Sequence, residues 1–104
     1  MYKEKRDTVL TDTAKKQTLQ ARHILMGTKL EAMALLPTLT LSNFGHKARE
    51  FSMCDSHTSY GILPPWQEGM MVEGFHNAVA AAPLNEIVGP VLSEKGWHFI
   101  IRTR

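Results

Sequence analysis

The chain has little of several things that would decide its class at once. Cys54 is the only cysteine in 104 residues, so no internal disulfide can form, and a reducing, cytoplasmic setting is the simplest expectation. No apolar run approaches the ~20 residues a membrane span needs. No N-terminal stretch joins a basic region to an apolar core and a small-residue cleavage site, so a signal peptide is not expected. Charge of one sign is scarce too: 12 Lys and Arg face 10 Asp and Glu, for a net charge of +2. That balance does not by itself imply nucleic acid or membrane as a partner.

Other patterns are absent as well. Five histidines and one cysteine invite a metal reading, yet no pair shows the C-x2-C or H-x3-H spacing of a zinc site, so no metal or other cofactor is expected. Ser52 with His57 or His98 lacks the nucleophile elbow of a hydrolase.

What is present fits one domain. At 43% hydrophobic, a chain this short buries enough surface for a single core and not for two. Residues 1–18 are polar and basic; Lys3, Lys5, Arg6, Lys15, Lys16 and Arg22 face Glu4, Asp7 and Asp12 over the first 22 positions. They read as an extension, solvated or forming a short helix, with salt-sensitive nucleic-acid binding as the minor alternative. The domain proper is expected over 19–104, as a monomer.

Within it, Leu19 to Met26 alternates as a strand, with Ala21, His23 and Leu25 on one face and Arg22, Ile24 and Met26 on the other. Thr28 is placed to cap a helix marked by Leu30, Met33, Ala34 and Leu36, which Pro37 ends or bends. Ser42 or Asn43 caps a second helix, on which Phe44, Ala48 and Phe51 form an apolar stripe. Residues 52–61 read as a polar loop. Ile62 to Gln67 reads as a short strand that Pro64 and Pro65 confine to a sheet edge. The spacing predicts a third helix over Met70 to Ala81, despite Gly74, and two strands at Ile87 to Leu92 and Trp97 to Thr103 around the turn Ser93-Glu94-Lys95-Gly96. The mixture is an α+β fold, a sheet with helices packed around it.

Four segments carry a resemblance. Ala21-Arg22-His23-Ile24-Leu25 resembles an A-x-H-I-L opening strand. Phe51-Ser52-Met53-Cys54 resembles S-x-C or S-x-D before an active-site loop. Glu68 to Phe75 resembles G-x-M-V-x-x-F, and Gly89 to Ile100 resembles G-P-V-x-[ST]-x-x-G-[YW]-H-x-I. In this order and at these spacings, across about residues 20–104, the chain resembles the parvulin (PpiC-type) peptidyl-prolyl cis/trans isomerases, in their minimal bacterial form. The resemblance implies a four-stranded antiparallel sheet surrounded by helices. It also implies an enzyme that turns X–Pro bonds in flexible protein segments and so assists folding.

The chemistry that this implies needs no nucleophile. Rotation about a peptide bond faces a barrier of ~18–20 kcal/mol from lost resonance, so the site must seat a proline ring and favour the twisted amide over the planar one. The resemblance gives Leu63, Met71 and Phe75 the proline cup; read alone, a Met/Phe pair at helical spacing is ordinary core. It gives His23 and His98 a hydrogen-bonded pair beneath the substrate, where two satisfied core histidines are the bland alternative. It puts Cys54 at the family's Cys/Asp position, near the substrate carbonyl; the bland alternative is a small buried hydrophobe. Near the carbonyl a thiol or thiolate weakens amide resonance electrostatically. Asp55 shares that role or bonds locally, and Ser93 matches a hydroxyl position of the last turn.

The chain also departs from the family. Tyr60-Gly61-Ile62-Leu63-Pro64-Pro65-Trp66 stands where the family has a glycine-rich stretch, which points to a reshaped wall or to a binding module without useful turnover. After the first strand only Lys29 stands where phosphopeptide-specific relatives carry arginines, so phosphate recognition is not expected. The linker Thr38 to Ser42 is unusually apolar for a loop.

Overall fold

The computed structural model describes residues 17–104; the expected 1–18 extension therefore lies almost wholly outside the described residues. The elements run β1 (Ala21–Met26), α1 (Lys29–Leu35), a 3-10 turn (Leu36–Thr38), α2 (Phe44–Phe51), a 3-10 turn (Asp55–Ser59), α3 (Glu73–Ala81), β2 (Ile87–Ser93) and β3 (Gly96–Arg102). The sheet is antiparallel in the order β1-β3-β2, so the first and last strands are neighbours, with His23 opposite Ile100 and Leu25 opposite His98.

Strand alternation sends two sets of side chains to opposite faces. Ile24, Met26, Phe99 and Ile101 bury against Ala32, Leu35, Phe44 and Ala48 of α1 and α2. Ala21 and Ile100 bury against Leu63, Trp66, Phe75 and Val79, beneath α3. Each face thus has its own core, and the histidines of β1 and β3 lie on the α3 face by the same alternation.

The fourth strand is reduced to bridges. Leu19 pairs with Trp66 and Arg22 with Ile62, through Leu63 N–H to Ala21 O at 3.1 Å and reciprocal Leu19–Trp66 bonds at 2.8 and 2.9 Å. Between these contacts three steps on one side, Leu63 to Trp66, oppose two on the other, Ala21 to Leu19. The extra residue falls at Pro64 and Pro65, which have no N–H to donate. The Gln20 side chain, Nε2 to Leu63 O at 3.2 Å, serves a carbonyl that the ladder leaves over.

Three helical readings need correction. In α1 the buried residues are Ala32 and Leu35, while Leu30 and Met33 face solvent. Thr28 does cap the helix, accepting from Glu31 N–H at 3.1 Å and donating to Glu31 Oε1 at 3.0 Å. In α2, Phe44 and Ala48 are buried but Phe51 is exposed. Asn43 stands at its N-cap but bonds backward, to Thr40 N–H and Thr38 O, and so ties down the linker. The third helix begins at Glu73 rather than Met70. Gly69, at φ +94°, and a bond from Met70 N–H to Gln67 O spend residues 67–70 on a turn.

Candidate active site

The α3 face opens at one end of the sheet into a cleft of about 580 Å³. Its floor is the histidine pair. His23 and His98 are 5% and 3% exposed, with their Nδ1 atoms 3.2 Å apart. Only one of these two facing nitrogens can carry a proton in a neutral pair, so one donates and the other accepts. The chain of bonds continues outward: His98 Nε2 lies 2.6 Å from Ser93 Oγ, which also accepts from Lys95 N–H at 3.1 Å. The pair's remaining nitrogen, His23 Nε2, is buried without a hydrogen-bond partner among the described residues. Burial lowers the pKa of both histidines to about 4, and for His23 the neighbouring His98 adds to the effect. Both are neutral near pH 7.

Phe75 stands over the pair, its ring centroid 5.1 Å from His23 and 4.9 Å from His98. Behind it lies Trp66, 5.6 Å away, which donates through Nε1 to His76 Nδ1 at 3.1 Å. That bond links the bridge segment to α3 and fixes the cup's back wall. Leu63 and Met71 complete the lining. Met71 precedes α3, so it reaches Phe75 from a turn and not from the preceding helical turn that the spacing suggested.

Cys54 and Asp55 also line the cleft, on a segment hung from the end of β1. Met53 N–H donates to Leu25 O at 2.8 Å. Ser52 Oγ accepts from Leu25 N–H at 2.9 Å and from Cys54 N–H at 3.3 Å. One hydroxyl thereby joins the strand to the residue that carries the thiol. The expected open loop is here a 3-10 turn, held partly by His57 N–H to Cys54 O at 2.9 Å. Among the described residues no group of three or more His, Cys, Asp or Glu is arranged to hold a metal ion.

Seven of the eight residues singled out from sequence therefore line one cleft, namely His23, Cys54, Asp55, Leu63, Met71, Phe75 and His98, and the eighth, Ser93, bonds to its floor. Sequence reasoning passed over Ser52 as a tether and Lys95 as a lining residue. Ser52 stood inside a quoted motif; Lys95 stood in a turn whose composition gives no sign of where it points.

Comparison with known proteins settles the family. A family model described as "Rotamase: PPIC-type PPIASE domain" matches residues 11–104. The chain belongs to the PpiC-type PPIase domain family. Among curated relatives, this parvulin domain is 29% identical to a parvulin-like PPIase of Rickettsia typhi over 96% of its own length and 37% of the relative's; it spans little more than a third of such proteins. Among solved structures it is similar to the peptidylprolyl isomerase PrsA of Bacillus anthracis, with 28% identity, a TM-score of 0.76, and coverage of 88% of this chain and 43% of that one. It is also similar to NmPin, the parvulin of Nitrosopumilus maritimus, with 32% identity, a TM-score of 0.69, and coverage of 84% and 96%. A SurA-like chaperone structure from Campylobacter jejuni gives 25% identity, a TM-score of 0.79, and coverage of 96% and 44%.

Proposed function

We propose that this parvulin domain accelerates cis/trans isomerisation of X–Pro bonds in unfolded or flexible client segments, without selection for phosphate. The observation that carries the reading is the placement of the Leu63, Met71 and Phe75 cup directly against a neutral, hydrogen-bonded histidine pair. Twisting an amide localises the nitrogen lone pair and removes double-bond character from C–N. A site that buries the proline ring holds one side of that bond still. The polar groups at the mouth, Cys54 foremost, act on the carbonyl side, where a thiol or thiolate favours the less resonant carbonyl over the planar amide. The histidines orient this frame and exchange no proton with substrate at neutral pH. Domain limits near residues 19–104, a reducing cytoplasmic setting suited to the lone Cys54, and a monomeric state belong to the same reading.

The binding-only alternative draws on Pro64 and Pro65. Leu63 nevertheless stays buried at 8% exposure and bonds to Ala21, so the altered wall keeps its cup residue in place, which favours turnover. The test is a protease-coupled assay on short Xaa–Pro peptides with wild type, Phe75→Ala and Phe75→Leu, each checked for folding by circular dichroism. Acceleration by wild type, reduced in Phe75→Leu and abolished in Phe75→Ala, is the expected result. No acceleration by folded wild type would assign the domain to peptide binding alone.

A further inference from the structure

Two charged residues line the cleft, Asp55 and Lys95, and their surroundings leave both charges unspent. Among the described residues neither forms an ion pair: Asp55 engages through its carbonyl, which accepts from Thr58 Oγ1 at 3.2 Å, and Lys95 through its N–H to Ser93. The adjacent carboxylate of Glu94 is turned toward α3, with Oε1 3.8 Å from where a Cβ on Gly74 would stand. The other lining residues carry no formal charge at neutral pH, and among them Met53 and Met70 are well exposed. Discrimination by charge therefore falls to one cation and one anion.

They arrive from different elements. Asp55 follows the segment hung from β1, while Lys95 sits in the turn that joins β2 to β3, and β3 is the central strand. A peptide lying across the cleft therefore passes both residues, one on each element, and an extended chain rises only ~3.3 Å per residue. Two residues is the separation between the neighbours of a proline. The backbone of Lys95 is tied to the same Ser93 hydroxyl that bonds His98, so its flexible side chain starts beside the histidine pair.

We infer that the cleft reads the charges on both sides of the proline and selects segments with an acidic residue toward Lys95 and a basic residue toward Asp55. The inference rests on the isomerase reading for its catalytic consequence, but the charge preference applies to binding as well. A peptide with the opposite order meets like charges at both positions and is disfavoured.

The experiment uses three peptides that differ only around the proline, Ala-Pro-Ala, Glu-Pro-Lys and Lys-Pro-Glu, with isomerisation measured by NMR exchange spectroscopy and affinity by titration. One charged order should exceed the neutral peptide roughly threefold in kcat/KM and in affinity, and the other fall below it, giving roughly tenfold between orders, the size that two exposed ion pairs support. Raising salt to about 0.5 M should flatten the difference, and the double exchange Lys95→Glu with Asp55→Lys should reverse the preferred order. Equal acceleration of all three peptides overturns the charge reading and leaves the isomerase reading intact. No acceleration together with an order preference in affinity does the reverse. A preference that survives the charge exchange also overturns the assignment to these two side chains.

Discussion

Lowering the pH from 7 to 5 should destabilise this domain sharply, because it buries two histidines as neutral rings. An unfolded histidine titrates near 6.5; in the folded chain His23 and His98 titrate near 4. Between those values the unfolded state binds more protons, so stability falls as pH falls. The stabilisation is fully present above pH 6.5 and is lost progressively toward pH 4. Linkage gives a cost of about 2 kcal/mol per histidine between pH 7 and 5, or about 4 kcal/mol for the pair. The figure at pH 5 is set mainly by the unfolded value, since a folded pKa one unit higher changes it only by about 0.4 kcal/mol per ring. Against a typical 5–15 kcal/mol for a domain, this is a large fraction, and for this length it corresponds to roughly 20 °C in Tm. Urea unfolding at pH 7, 6 and 5 measures it, with imidazole NMR shifts reporting each ring directly. Stability at pH 5 within about 1 kcal/mol of that at pH 7, or ring signals that titrate near 6.5, would refute the neutral buried pair.

Two further substitutions test the frame around it. Cys54→Ala should lower kcat by roughly tenfold, about 1.4 kcal/mol of barrier, with a smaller change in KM, and Cys54→Asp should recover part of the loss; steady-state kinetics on one Xaa–Pro peptide decides, and equal kcat in Cys54→Ala removes the residue from the mechanism. Gly61→Ala should cost roughly 3 kcal/mol in denaturant unfolding, because Gly61 sits at φ +80° and an added Cβ would lie 2.6 Å from His23 O and 2.9 Å from Ala48 Cβ; a loss below about 1 kcal/mol would mean that β1 and the bridge segment separate easily.

How legible all this was in the sequence varied with the kind of signal. β1 and β3 were plain as strands, and alternation gave the face that His23 shares with Ala21 and Leu25. That His23 and His98 meet was legible only through the family resemblance, and the β1–β3 pairing bears it out. The α1 face was not plain. Leu30 and Met33 looked like its core residues, but small Ala32 lets the helix lie close on the sheet, and the larger side chains turn outward. Met71 shows a correct grouping reached by the wrong geometry: spacing put it on a helix, whereas the turn after Gly69 carries it to the same cleft. Ser52 and Lys95 were illegible. Ser52 acts by accepting from the main chain of distant Leu25, and Lys95 reaches the cleft through the way its turn is folded, with its own N–H donating to Ser93 Oγ; no local pattern records either.

The paired prolines at 64 and 65 have a consequence beyond the shape of the cleft wall. Under the proposed function this domain meets strand-forming segments constantly, and an open sheet edge invites them to add on and aggregate. Here the outer side of β1 is already occupied by the bridge segment, and that segment contributes two residues with no N–H. A client strand arriving there finds donors missing where a continuous ladder would need them. On this side the sheet is closed to further strands, so under the proposed function extended chains meet the cleft there and not an open ladder.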